Sequence, residues 1–379
     1  MVTVRPEEKS MTESAKSILR HSAESLHADE LARLQASDAD PRPEGWRLSP
    51  RAVRRFLLGD SKQGIERKFY GDDPLVDRCI VTLMGNQGLM LVGEPGTAKS
   101  LLSELLAAAI SGDSGLVVQG TAGTTEDHLR YSWNYALLLS EGPSNRSLVP
   151  SPFHQAMSGG KIVRFEEITR CPPEIQDVMI SLLSEKMLLI PEMGDGARLH
   201  ARRGFNVIAT ANLRDRGVHE MSSALKRRFN YETVQPIKDL ALETELVQKR
   251  VAKELALDGT APAGKPALQQ DLALMLVTVF QELRTGRTRE GTAIKSPDTV
   301  LSTAEAVNVA HAAVLESRYL GNGTLDGGAL ARQLLGVALK GDPDDARKLR
   351  QYMESVVKER ARTGEPWKSF WDASRQLWT

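Results

Sequence analysis

Cysteine is scarce in this chain: two residues, Cys79 and Cys171, in 379. They lie far apart, fit no metal or redox spacing, and read as plain buried or half-buried thiols of a reduced cytoplasm. Long apolar runs are missing too. No stretch of about 18 apolar residues occurs, so no membrane span is expected. The opening "MVTVRPEEKSMTES" lacks the apolar centre of a secretory signal. Seven histidines are scattered without the close, same-face spacing of a zinc site. Neither sign of charge is in excess: Lys plus Arg and Asp plus Glu are both 49, a formal net charge of zero. This removes any general pull toward nucleic acid or an anionic membrane, while leaving local basic patches open. Internal repeats are absent.

What is present suits a soluble globular protein of two domains: 41% hydrophobic and 26% charged residues over a length that buries two cores. Residues 1–47 are polar and read as an extension with one helix, "SAKSILRHSAESLHADELARL". From about residue 72 short apolar runs, "LMLV", "LVV", "KIVRF" and "FNVIATA", alternate with helical patterns, and "YETVQP" adds a last strand. Five strands alternating with helices predict an α/β domain over 48–236, a parallel five-stranded sheet covered on both faces. After Pro236 only helical spacing appears, which predicts an all-helical domain over 237–345 with "ELALDGTAPAGKPAL" as its most linker-like joint. Residues 346–379 read as a helical tail carrying three tryptophans on what reads as one amphipathic helix.

"LMLVGEPGTAKSLLSELLAAAI" is the strongest signal. Gly93, Glu94, Pro95, Gly96, Thr97, Ala98, Lys99, Ser100 and Leu101 lie between an apolar strand and a helix with apolar residues at 101, 102, 105, 106 and 109. This is the strand-loop-helix setting of a phosphate loop, although Ala98 stands where a glycine is usual. Backbone N–H groups and the helix start would cradle the β and γ phosphates of a triphosphate. Lys99 would supply a point charge and Ser100 would ligate Mg²⁺. The competing reading is a surface turn with an incidental Lys-Ser.

"KIVRFEEITRC" ends a strand in two carboxylates. A strand-end carboxylate near a phosphate loop serves Mg²⁺, and a neighbour orients or deprotonates the attacking water. Glu166 takes the metal role here, one methylene longer than the usual aspartate, and Glu167 the water role. Taken alone, the pair also fits a solvated strand end. Arg164 sits on the same strand face as Glu166, and a charge within a covered sheet needs a partner, so an Arg164–Glu166 ion pair is expected in the nucleotide-free state.

Over roughly residues 65–345 the chain resembles the AAA+ ATPases of MoxR type, and within them the YehL-like subgroup. The resemblance lies in "FYGDDPLVDRCIVTLMGNQGLMLVGEPGTAKS", which includes that family's frequent Ala before Lys. It continues in "FEEITRCPPEIQDVMISLLSEKMLLIP", "FNVIATANLRD", "SSALKRRFNYE" and "QGTAGTTEDHLRYSWNYALLLSEG". It implies an αβα core followed by a helical lid, ATP and Mg²⁺ as cofactors, and Asn212 as the residue that hydrogen-bonds the γ-phosphate or the water. It also implies Arg228, or in its place Arg227, as an arginine finger acting on a neighbouring subunit's ATP, and hence a ring, in that family a hexamer. "TAGTTEDHLRYSWNYALLL" and a hairpin over "EKMLLIPEMGDGARLHARRGF", with "GDG" as its turn, match inserted segments that face pore or substrate.

One motif departs from that pattern. A lid arginine in a Ser-Pro-Arg motif is replaced by "KSPDTVL", where Ser296, Pro297 and Asp298 read as a helix start. Lys295, Arg287 or Arg289 stand as substitutes for the missing base. The resemblance implies chaperone-like remodelling of a partner, by analogy one carrying a von Willebrand factor A domain. A nucleic-acid-stimulated motor, using basic clusters at 202–203, 226–228 and 284–289, is a rival reading, with nucleic acid not the expected partner. A slow nucleotide-dependent switch is the other rival.

Overall fold

The computed structural model describes residues 20–212, 219–257, 266–299, 301–339 and 342–376. The chain divides into two compact units. One holds the residues up to Val92 together with Lys99–Thr233, and the other gathers Gly93–Ala98 with Val234 onward.

The first unit is built on a sheet of β1 (Gly88–Gly93), β2 (Val117–Gln119), β3 (Ile162–Glu166), β4 (Asn206–Asn212) and β5 (Phe229–Thr233). Their order is β2-β3-β4-β1-β5. β2 with β3, β3 with β4, and β1 with β5 pair in parallel, and Phe165 lies opposite both Val118 and Ala209. All residues of β1 and β3 are buried, so β1 reads as a continuous apolar run, while β3 buries the charged Arg164 and Glu166 within it. Met90, Val163, Phe165, Val207 and Ala209 share one core with Met179, Leu182 and Leu183 of the helix Pro173–Glu185. Because β4 lies between β3 and β1, the strand order brings Glu166, Asn212 and the first residues of the helix Lys99–Ser111 to one edge of the sheet.

The described part of the N-terminal segment is packed, not peripheral. It forms helices Ala23–Leu26 and Ala28–Ser37, with Leu31, Leu34 and Trp46 buried. Glu30 pairs with Lys68. Asp38 accepts from the Ser49 amide at 2.7 Å and its hydroxyl at 2.6 Å, fixing the residue that caps the helix Pro50–Leu58. Few inward apolar residues among many charges gave this segment its polar appearance. Cys79 and Cys171 are both buried and unpaired.

Two inserted elements stand out. Tyr131–Trp133 pairs antiparallel with Leu148–Pro150 around the helix Tyr135–Glu141, which has no buried residue. Met187–Leu189 pairs antiparallel with Arg198–His200. Gly194 and Gly196, at φ +107° and +83°, make the bend of that hairpin, so "GDG" is its turn. The two elements are tied together: Tyr131 Oη donates to Glu192 Oε2 at 2.7 Å, and the Arg130 guanidinium to the Leu189 carbonyl at 3.0 Å.

The second unit is helical, with helices Leu240–Leu257, Gln270–Thr285, Thr303–Tyr319, Gly327–Ala338, Pro343–Tyr352 and Trp367–Gln376. Val251, Phe280, Leu330, Tyr352, Met353 and Phe370 belong to one buried cluster, with Trp367 and Trp371 packed against it. Leu349, Tyr352, Met353, Val357 and Phe370 thus carry residues 346–376 into this unit's core; Trp378 and the centre of the linker-like joint lie outside the described residues. The buried Glu282 accepts from Tyr352 Oη at 2.6 Å and from Arg360 at 2.9 and 2.7 Å. The expected helix start at Ser296 is not there. The Asp298 and Thr299 amides instead donate to the Asp345 carboxylate at 2.6 and 2.9 Å. The helix begins at Thr303, where Ser302 and Glu305 form a reciprocal capping box.

Candidate functional site

The phosphate loop leaves β1 at Gly93 and enters its helix at Lys99. Thr97 Oγ1 donates to the Glu94 carbonyl at 2.8 Å, closing the turn. Gly96 has φ +76° and Ala98 φ +66°, so the loop demands left-handed backbone at both and alanine adopts it at the second. A Cβ on Gly96 would lie 2.1 Å from Ser302 Cβ, and one on Gly93 2.5 Å from the Val234 carbonyl oxygen, which restricts both positions to glycine. Lys99 is buried, Leu101 half-buried, and Ser100 exposed at the helix start.

Beside Ser100 lies a buried polar knot. Glu166 Oε2 accepts from Ser100 Oγ at 2.7 Å and from Thr210 Oγ1 at 2.8 Å. Its Oε1 accepts from Ser103 Oγ at 2.7 Å and from the Arg164 guanidinium at 2.8 Å. The expected ion pair between Arg164 and Glu166 is therefore present. Arg164 also donates to Ser103 Oγ at 2.9 Å and to the carbonyls of Ser114 and Ser100 at 3.1 and 3.2 Å. Burial pushes the Glu166 pKa up, but the hydrogen bond from Ser103, the charge of Arg164 and the hydroxyls of Ser100 and Thr210 outweigh it, and the net shift is downward. The carboxylate is thus held ionised.

Glu167 occupies the left-handed region, at φ 59° and ψ 43°. This turns its side chain away from the strand, a strained conformation of the kind found at functional sites. Its amide donates to Thr210 Oγ1 at 3.0 Å. Its carboxylate accepts from Asn212 Nδ2 at 2.9 and 3.0 Å and pairs with Arg170 Nε at 3.1 Å. The structure thus brings together Ser100, Glu166, Glu167 and Asn212. Arg228 is elsewhere, donating to Ser184 Oγ at 2.5 Å and the Ala224 carbonyl at 2.6 Å; Arg227 is exposed at the end of the helix Ser223–Lys226. Arg287, Arg289 and Lys295 are exposed on the helical unit. Leu213, Arg214 and Asp215 of "ANLRD" lie outside the described residues.

The donor set suits Mg²⁺. Ser100 Oγ and a Glu166 oxygen are adjacent and both are hard oxygen donors. No group of three or more His, Cys, Asp or Glu among the described residues could hold a metal by itself. Few protein ligands, completed by phosphate oxygens and water, is the usual Mg²⁺ arrangement at nucleotide sites.

Sequence comparison agrees with this geometry. Residues 88–229 match the model of the AAA domain, dynein-related subfamily. Residues 241–378 match that of the YehL-like AAA+ ATPase C-terminal domain. The chain is 48% identical over 353 residues to YehL of Escherichia coli, covering 93% of this chain and 96% of that one. The chain belongs to the YehL-like AAA+ ATPases. A more distant relative, YojN of Bacillus subtilis, is 25% identical over 216 residues, 54% of this chain and 69% of that one. Among solved structures, NtrX from Brucella abortus in complex with ATP has a TM-score of 0.45 at 16% identity, covering 78% of this chain and 60% of that one.

Two of the site's members escaped the sequence reading. Ser103 lies three residues after Ser100, on the same helix face, a spacing that could have disclosed it. Thr210 lies two residues before Asn212, on the same strand face. Arg170, three residues after Glu167 in "FEEITR", pairs with it through Nε.

Proposed function

We propose that this protein hydrolyses ATP as a ring of MoxR type and remodels a partner protein. The observation that carries the reading is the unbroken hydrogen-bonded run from Ser100 through Glu166 and Thr210 to Glu167, with Asn212 on the Glu167 carboxylate. Each member has a task in phosphoryl transfer to water. Lys99 and the loop amides bind the β and γ phosphates. Mg²⁺, when bound, neutralises charge on those phosphates; Ser100 would hold it, with Glu166 fixing Ser100. Glu167 orients the water and takes its proton on the carboxylate, and Asn212 keeps that carboxylate in place. Arg228, or Arg227, of a neighbouring copy stabilises charge on the transferred group, which requires a closed ring, by family analogy a hexamer. Tyr135 and Leu139, at 71% and 88% exposure, put apolar side chains on the inserted helix where a client protein would touch it. A cytoplasmic location rests on the sparse, unpaired cysteines, and a von Willebrand factor A domain client follows from the family analogy alone.

Steady-state ATPase assays test the enzyme reading. Glu167→Gln and Lys99→Ala should each lower turnover by about 100-fold or more. Equal, slow hydrolysis by both variants and the wild type would sink it. A second reading, a slow nucleotide switch, is favoured by the hold of Asn212 and Arg170 on Glu167. It is selected if wild type binds ATP tightly yet turns over no faster than Glu167→Gln. The client claim is tested by pull-down with Glu167→Gln and ATP from native cells. Absence of a von Willebrand factor A domain protein at stoichiometric level removes it.

A further inference from the structure

We propose that Arg164 is a positioning and charge-balancing residue of the metal station: it holds Glu166 so that the carboxylate orients Ser100 without lending its full charge to a divalent cation. Metal affinity then depends chiefly on the nucleotide's phosphates. This rests on the reading of the station as a Mg²⁺–triphosphate site.

A charged residue inside a covered strand is costly, and its pairing only offsets that cost. Arg164 and Glu166 have side-chain exposures of 8% and 7%, so neither charge is relieved by solvent. The two carboxylate oxygens carry different duties. Oε2 faces the station, taking the hydroxyls of Ser100 and Thr210. Oε1 faces away, taking Ser103 and Arg164. A cation held on Ser100 Oγ would meet Glu166 through Oε2, with the guanidinium on the far edge cancelling much of the carboxylate's charge. The same guanidinium nitrogen donates to the Ser100 carbonyl at 3.2 Å, so one group grips both members of the station.

The sign of the effect follows. Without Arg164, Glu166 keeps three hydroxyl donors, from Ser100, Ser103 and Thr210, and stays in place with its charge uncancelled. Neutral substitution therefore strengthens metal binding, whereas a merely structural role would weaken it.

The test compares the full-length wild type with Arg164→Gln and Arg164→Lys. Mn²⁺ binding is read by electron paramagnetic resonance with and without a non-hydrolysable ATP analogue, and metal-free nucleotide binding by a fluorescent ATP derivative. Arg164→Gln should bind Mn²⁺ about tenfold more tightly than wild type, and the charge-conserving Arg164→Lys within about twofold of it. Metal-free nucleotide binding reports any disturbance of the loop through the lost bond to the Ser100 carbonyl, and the Mn²⁺ comparison without nucleotide is read independently of it. Equal loss of Mn²⁺ affinity in both variants, or no gain in Arg164→Gln, overturns the proposal. If Arg164→Gln does not fold, Arg164→Met is the second neutral variant and carries the same expectation. If none of the proteins binds nucleotide, the ATP reading fails on that measurement, and the Mn²⁺ comparison without nucleotide still decides the role of Arg164.

Discussion

Ala98 holds a backbone conformation that glycine adopts more readily, and position 98 shows how far a motif can be read from residue types. The sequence places an alanine where the phosphate loop usually has glycine, and the structure keeps the left-handed turn regardless, at φ +66°. An L-residue there costs roughly 1 to 2 kcal/mol, of which the greater freedom of unfolded glycine would take back part. Ala98→Gly is therefore expected to raise stability by about 0.5 kcal/mol in denaturant titrations, with nucleotide affinity unchanged. Glu166 makes a prediction in pH. Its folded pKa lies below its unfolded value, so its contribution is present above the ordinary carboxylate range and is lost as pH falls through the folded pKa. Acid unfolding should show this loss in the wild type and lack it in Glu166→Gln, which is itself destabilised by about 3 kcal/mol because Arg164 is left buried and uncompensated. Residue types at motif spacing were legible here, and so was the Arg164–Glu166 pair. The hydroxyls of Ser103 and Thr210 were not, because serine and threonine acquire a role only from what the fold sets beside them.

Elements were more legible where the apolar period was strong. β1 follows a continuous apolar run, β3 and β4 follow short apolar runs interrupted by Arg164 and Thr210, and the hairpin turn follows from its glycines. The helix start in the second unit was misread because two serines compete for it. Ser296, followed by Pro and Asp, has good local chemistry for a cap. Ser302 has Glu305 three residues on, and the reciprocal bonds prevail while Asp345, distant in sequence, claims the Asp298 and Thr299 amides. Ser302→Ala should therefore cost about 1 kcal/mol in thermal or denaturant unfolding. Ser296→Ala should stay within about 0.5 kcal/mol. An equal loss from both would restore the first reading.

Over the whole molecule, the α/β-then-helical order was legible from the change of period after Pro236, while the roles of the two chain ends were not. The tail's tryptophans marked an amphipathic helix, but the sequence did not single out Phe370, which is fully buried and shares the core of the second unit. Phe370→Ala should lower stability by roughly 3 to 5 kcal/mol, seen as earlier unfolding by circular dichroism. The tie between the two inserted elements has a mechanical consequence. With Tyr131 bonded to Glu192 and Arg130 to the Leu189 carbonyl, the insert and the hairpin are joined at two points. Displacement of the strand ends beneath either one is therefore passed to the other, and under the proposed function a client touching the exposed insert helix would meet both elements as a pair.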